Sequence, residues 1–296
     1  MTATIDQIGA IFADAGCRGW LRAQVVGKPE SVVDFGGTEP VVAASVYKLV
    51  VMVAAARAFD RGQLDPQQAI RVVPRECTPG PTGLCTFSDP VTMSWRDIVR
   101  SMMTVSDNAA ADVVLSAVGL GAIDDVISDL GLTNTRVIGG TAAVHEQIVH
   151  DTGSLTLDEA VALLASNNTV HQTAAFDPAY TTATSAADTN RVLECIWTNT
   201  AASREQCALM RTILGQQIWP HRIRSAFPYD DVTVAGKTGT IGPIRNEAAV
   251  VVFPHETPIA VSVYTRSARA DLFLPVVDHA IGLAARVAVT ELRSGT

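Results

Sequence analysis

The chain has 296 residues, 48% of them hydrophobic and 18% charged, and a formal net charge of -8. That length and apolar content supply a sizeable core, as one large domain or two interleaved lobes, and the acidic balance without any Lys/Arg cluster argues against nucleic acid as a partner. The longest strongly apolar run, 49–56, is closed by Lys48 and Arg57, far short of the roughly 20 residues a membrane span needs.

Residues 3–15 have helical spacing, and 20–26 and 31–35 read as strands joined by the Gly27-Lys28-Pro29 turn. The first fifteen residues carry Asp6 and Asp14, no basic residue and no apolar stretch of signal-peptide length, so a cytoplasmic location is expected unless a leader has been removed. From about 45 to 230 the pattern is helical, with Gly- and Pro-rich breaks at 79–83, 119–121 and 139–140. The segments 232–235, 248–253 and 259–264 are β-rich, and 274–292 is an amphipathic helix. The predicted fold is α/β of the α+β kind: an antiparallel sheet formed from N- and C-terminal strands, flanked by helices, plus an all-helical lobe. It divides the chain into an α/β lobe of 1–44 and 231–296 and a helical lobe of 45–230, with the active site between them. Five cysteines without metal-ligand spacing point to a reducing compartment, although Cys77 and Cys85 flank a loop short enough to pair. The six histidines show no ligand spacing either, so neither metal nor cofactor is expected.

Lysine is scarce. Of three, Lys48 and Lys237 stand in Ser45-Val46-Tyr47-Lys48 and Lys237-Thr238-Gly239-Thr240, whereas the other 19 basic residues are arginines, which cannot give up a proton. Ser45 and Lys48 are one helical turn apart and share a face, so a lysine with a lowered pKa can take the proton that makes the serine a nucleophile. Ser-x-x-Lys is also an ordinary helix start. Ser106-Asp107-Asn108 precedes a helical run; it caps that helix, or Ser106 delivers a proton to a leaving group while Asn108 bonds a substrate amide. Lys237-Thr238-Gly239-Thr240 closes a predicted strand, either as a plain strand-end turn or as a place where Gly239 lets a substrate lie against the strand while Lys237 and the hydroxyls bind an anion.

In this order the three elements resemble the signature of the serine β-lactamases and penicillin-binding proteins, most closely class A β-lactamases, and the resemblance covers almost the whole chain. It implies a small-molecule substrate, a β-lactam or another carboxylate-bearing amide or ester, and an acyl-enzyme on Ser45. The oxyanion would be held by the backbone N–H groups of Ser45 and Thr240, with Lys48 as the base whose proton is labile and Lys237 as a charged anchor. The substrate carboxylate would meet Thr238, Thr240 and either Arg245 or Arg222.

The family's water-activating glutamate has no counterpart. Aligned from Thr135-Arg136, its place falls on Thr141, glycine stands near 139 where an arginine normally pins the loop, and only His145 or Glu146 offers an alternative base for deacylation. A general base is worth about 10²–10⁴ in rate, so acylation is expected to outlast hydrolysis. The stretch 167–188 holds an insertion, expected to be a lid, an interface or a surface excursion. An acyl-transferring tailoring enzyme, a DD-peptidase-like enzyme and a non-catalytic binder are the alternatives; the oligomeric state is not legible.

Overall fold

A computed structural model describes residues 2–166 and 172–294. The chain opens with helix α1 (Thr2–Asp14) and strands β1 (Cys17–Val25), β2 (Val32–Phe35) and β3 (Val41–Val42). A short 3-10 helix, Ala44–Tyr47, runs directly into α2 (Lys48–Asp60), followed by β4 (Ala69–Val72), β5 (Val91–Ser94), α3 (Trp95–Thr104) and α4 (Asn108–Leu130). Next come α5 (Thr141–Thr152), α6 (Leu157–Ala165), β6 (Ala183–Thr184), α7 (Ala186–Trp197) and α8 (Arg204–Leu214). The chain returns through β7 (Thr233–Ile241), β8 (Ile244–Val252) and β9 (Ile259–Ser267) and ends in α9 (Pro275–Ser294).

The terminal strands form one antiparallel sheet in the order β2-β1-β9-β8-β7, with Leu21 opposite Val263 and Lys237 opposite Ala248. Alternation gives it two buried faces. Leu21, Ala23, Val261 and Val263 pack on one side with Ile8 and Phe12 of α1 and Ile281 and Ala285 of α9. Ala260 and Tyr264 turn to the other side and join a core built on α2, α3, α4, α7 and α8. Helix α2 lies inside that core, with residues 48–56 all buried. No helix among the described residues is long and apolar enough to cross a membrane.

Two features depart from the expectation of an all-helical middle. β6 pairs with β3, and β4 pairs with β5, as two-stranded ribbons. Strands of two and four residues are too short to set up a readable period. Cys77 and Cys85 are free thiols, their Sγ atoms turned to the carbonyls of Val73 and Gly80.

Candidate active site

Ser45 sits half-buried on the 3-10 turn, whose first residue, Ala44, has a φ of 43°. A non-glycine residue in that region is strained, and such strain persists only where the surroundings impose it. Here Asn246 on β8 donates to the carbonyls of Val42 (2.9 Å) and Ala43 (3.3 Å), and β7 presses from the side. Gly239 makes the approach possible: a Cβ there would lie 3.0 Å from both the Ala43 carbonyl and Val46 Cγ2. The absence of a side chain at Gly239 thus admits the serine-bearing turn. Gly239→Val is expected to destabilise the fold by about 1–3 kcal/mol through overpacking, seen as a lower melting temperature; an unchanged melting temperature would contradict this contact.

Lys48 is fully buried, and a buried ammonium must find acceptors. Its Nζ donates to Ser106 O (2.8 Å), Asn108 Oδ1 (3.0 Å) and Asp107 O (3.3 Å). Among the described residues no hydrogen bond joins it to Ser45; the amine is drawn to the Ser-Asp-Asn segment. Burial lowers its pKa to about 7 against the opposing pull of Asp107 and Asp112.

The Ser-Asp-Asn segment divides its duties. Asp107 is the helix cap, accepting from Ala110 N at 3.1 Å. That leaves Ser106, at φ 61°, and Asn108 free to face the site. Ser106 Oγ lies 2.9 Å from Lys237 Nζ and 3.5 Å from Lys48 Nζ, between two amines. Lys237 Nζ also donates to Thr238 O (2.8 Å). Burial, then Lys48 and Arg222, push the pKa of Lys237 well down, with Glu247 opposing.

β7 is an edge strand, and its outer rim is clamped by groups that the sequence reading missed. Thr238 N donates to Gln217 Oε1 (2.6 Å), Gln217 Nε2 donates to Glu247 Oε1 (2.9 Å), and Ile223 N donates to Glu247 Oε2 (2.6 Å). Burial raises the Glu247 pKa to about 7. Since Thr238 N–H points off the sheet, alternation points Thr240 N–H off the same edge, toward the Ser45 turn. The two candidate arginines separate. Arg222 pairs with Asp278 (2.7 Å) and donates to Gly239 O (3.0 Å) and Thr240 Oγ1 (2.7 Å) on β7 and to Asn246 O (2.6 Å) on β8. Arg245 is committed to the carbonyls of Gly242, Ile244, Asp271 and Leu272 and is thereby occupied by loop backbone.

A cavity of about 90 Å³ opens beside Ser45, lined also by Tyr47, Asn108, Thr141, His145 and Thr240. Asp112, outside the lining, braces the start of α5 from behind, accepting from Thr141 N (2.7 Å), Ala142 N (2.8 Å) and Thr78 Oγ1 (2.6 Å) and so replacing the absent arginine as the pin of this loop. Thr141 Oγ1 lies 3.3 Å from the Tyr47 hydroxyl. Of the two alternative bases, His145 faces the cavity, while Glu146 is exposed and does not line it. Residues 172–188 are no surface excursion: β6 is stitched to β3, and Ala175, Thr181 and Thr182 are cavity wall. The rest of the expected insertion, 167–171, lies outside the described residues. Tyr47, a hydroxyl within an apolar helix start, was readable in principle; Gln217, in an irregular loop, carried no signal.

An antiparallel sheet backed by terminal helices, with a serine-lysine turn entering a helical lobe on its other face, defines the serine β-lactamase type of fold. The sequence pattern of the beta-lactamase enzyme family matches residues 3–292, and the chain belongs to that family, within the serine β-lactamase and penicillin-binding protein superfamily. A β-lactamase regulatory protein, BlaB of Streptomyces cacaoi, is 28% identical over 239 residues, 76% of this chain and 77% of the relative. A β-lactamase from Sphaerobacter thermophilus has the same fold at a TM-score of 0.78, with 22% identity and 98% of each chain covered. A variant of PBP-A, solved as an acyl-enzyme complex with penicillin G, also superposes at 0.78, with 18% identity over 100% of this chain and 98% of the other.

Proposed function

We propose that the protein is a serine hydrolase of the β-lactamase type that forms an acyl-enzyme on Ser45 with a β-lactam or related carboxylate-bearing amide or ester and releases it slowly. Lys48 takes the Ser45 proton as Oγ attacks the carbonyl carbon; the N–H groups of Ser45 and Thr240 hold the oxyanion, each donor worth about 2.7–4 kcal/mol. Ser106, between the two lysines, hands a proton to the leaving nitrogen. Thr238 and Thr240 receive the carboxylate, with the buried Arg222 behind them holding Thr240 Oγ1 in place and adding positive charge. One observation carries the slow release: among the described residues the cavity beside Ser45 has no Asp or Glu in its lining.

Incubation with benzylpenicillin followed by intact-mass measurement tests it. Wild type is expected to gain the mass of one intact penicillin and Ser45→Ala none. No gain in wild type, or an equal gain in Ser45→Ala, would sink the reading. The similarity to a β-lactamase regulatory protein supports a second fate for the same adduct, in which the acylated protein is itself the signal. That reading expects one equivalent of β-lactam consumed and then no further turnover.

A further inference from the structure

We infer that His145 is the group that activates water for release of the acyl chain from Ser45, taking the place of the carboxylate that this cavity lacks; this rests on the acylation reading above. Thr141 opens α5, and His145 follows one turn later, so their side chains share one helix face, and both line the cavity that holds Ser45. A volume of about 90 Å³ is ample for water, which needs only about 10–15 Å³ of such space.

The imidazole is unused by anything else. Its Nδ1 is buried without a hydrogen-bond partner, and among the described residues no hydrogen bond engages Nε2, which is not sealed. Either neutral tautomer leaves Nδ1 unpaired, so the tautomer with a free lone pair on Nε2 carries no special penalty. The charged groups around the ring are Asp112 on α4 and Lys48 on α2, and the Tyr47 hydroxyl shares the cavity. Burial and Lys48 favour the neutral, proton-accepting ring, whereas Asp112 favours the imidazolium that forms once a proton arrives. The hydroxyls of Thr141 and Tyr47, 3.3 Å apart, supply polar partners that hold a water in place.

The step is a hydrolysis. Water oxygen bonds to the acyl carbonyl carbon as Nε2 accepts one of its protons; the carbon–Oγ bond of Ser45 then breaks, and the imidazolium returns the proton to Oγ. Free serine and a carboxylic acid result.

The test separates this step from acylation. The benzylpenicillin adduct is formed on the full chain, excess drug is removed, and loss of adduct mass is followed between pH 5 and pH 8 for wild type, His145→Ala, His145→Gln and Glu146→Ala. Wild type is expected to release acyl chain at a rate that falls as pH drops, with a midpoint below the ordinary imidazole value of about 6.5. Both His145 variants should form the adduct at the wild-type rate and lose it about 10²-fold more slowly, without the pH step, while Glu146→Ala matches wild type. Release rates equal in wild type and His145→Gln, zero included, overturn the inference while leaving acylation intact. Failure of wild type to form any adduct overturns the acylation reading instead, and the inference falls with it. His145→Gln, a substitution of similar size, guards against misfolding of the alanine variant.

Discussion

Lys48→Met is expected to slow acylation of Ser45 by about 10²–10⁴-fold, the usual worth of a positioned general base. Nζ has three acceptors within 3.3 Å, matching the three N–H bonds of an ammonium. On deprotonation it keeps two donors and must release one acceptor, and the lone pair so freed is what the Ser45 hydroxyl requires. Desolvation sets the pH at which this happens. Burial penalises the ammonium, the pKa falls to about 7, and the active neutral amine therefore accumulates as pH rises through 7. Labelling rates with a fluorescent penicillin should climb through that pH in wild type and be flat in Lys48→Met. Lys48→Arg keeps a cation but not a removable proton, so it should be as slow as the methionine variant. A Lys48→Met protein that labels at the wild-type rate would refute the assignment. Lys237 is held low by the same burial and by Lys48 across Ser106, so the expected step belongs to the lysine pair rather than to one residue alone.

Sequence made the frame legible where burial follows a period. The helix over 3–15 and the strand over 20–26 meet α1 and β1 because one face of each is apolar and packs on the same core. β8 was read only from 248, yet it begins at Ile244, because Arg245, Asn246 and Glu247 are polar residues that a hydropathy pattern assigns to a turn. They are buried in the strand because Arg245 finds four carbonyls, Asn246 ties down the Ser45 turn, and Glu247 accepts from Gln217 and Ile223. Apart from the Gly242 and Ile244 carbonyls, these partners lie 24 to 204 residues away, so no local window contains them. The three motifs announced the lysines and serines of the site, but not which residue in Ser-Asp-Asn caps the helix or which arginine reaches β7. Both answers depend on tertiary acceptors: Leu84 and Ser101 for Asp107, and Gly239, Thr240 and Asn246 for Arg222.

Asp107→Ala is expected to lower folding stability by several kcal/mol, since a lost helix cap costs about 0.5–2 kcal/mol and each buried donor left unmet about 1–3. Its carboxylate, fully buried, accepts from Ala110 N (3.1 Å), Leu84 N (2.9 Å) and Ser101 Oγ (2.7 Å), joining three segments at one point. Gly83, at φ 84°, is moulded onto it: a Cβ there would lie 2.1 Å from Asp107 Cγ. Thermal melting reads the loss, at about 2–4 °C per kcal/mol for a chain of 150–250 residues and less for a longer one. Asp107→Asn gives the more discriminating result. Asparagine caps helices as well as aspartate does, so much of the stability should survive. The negative charge that holds the Lys48 pKa up is gone, however, and the ammonium becomes harder to keep. The pH midpoint of acylation should therefore move below that of wild type, with the rate plateau above it little changed. An Asp107→Asn protein whose midpoint stays near 7 would show that the carboxylate beside Lys48 acts on the fold alone and not on the proton that the serine must lose.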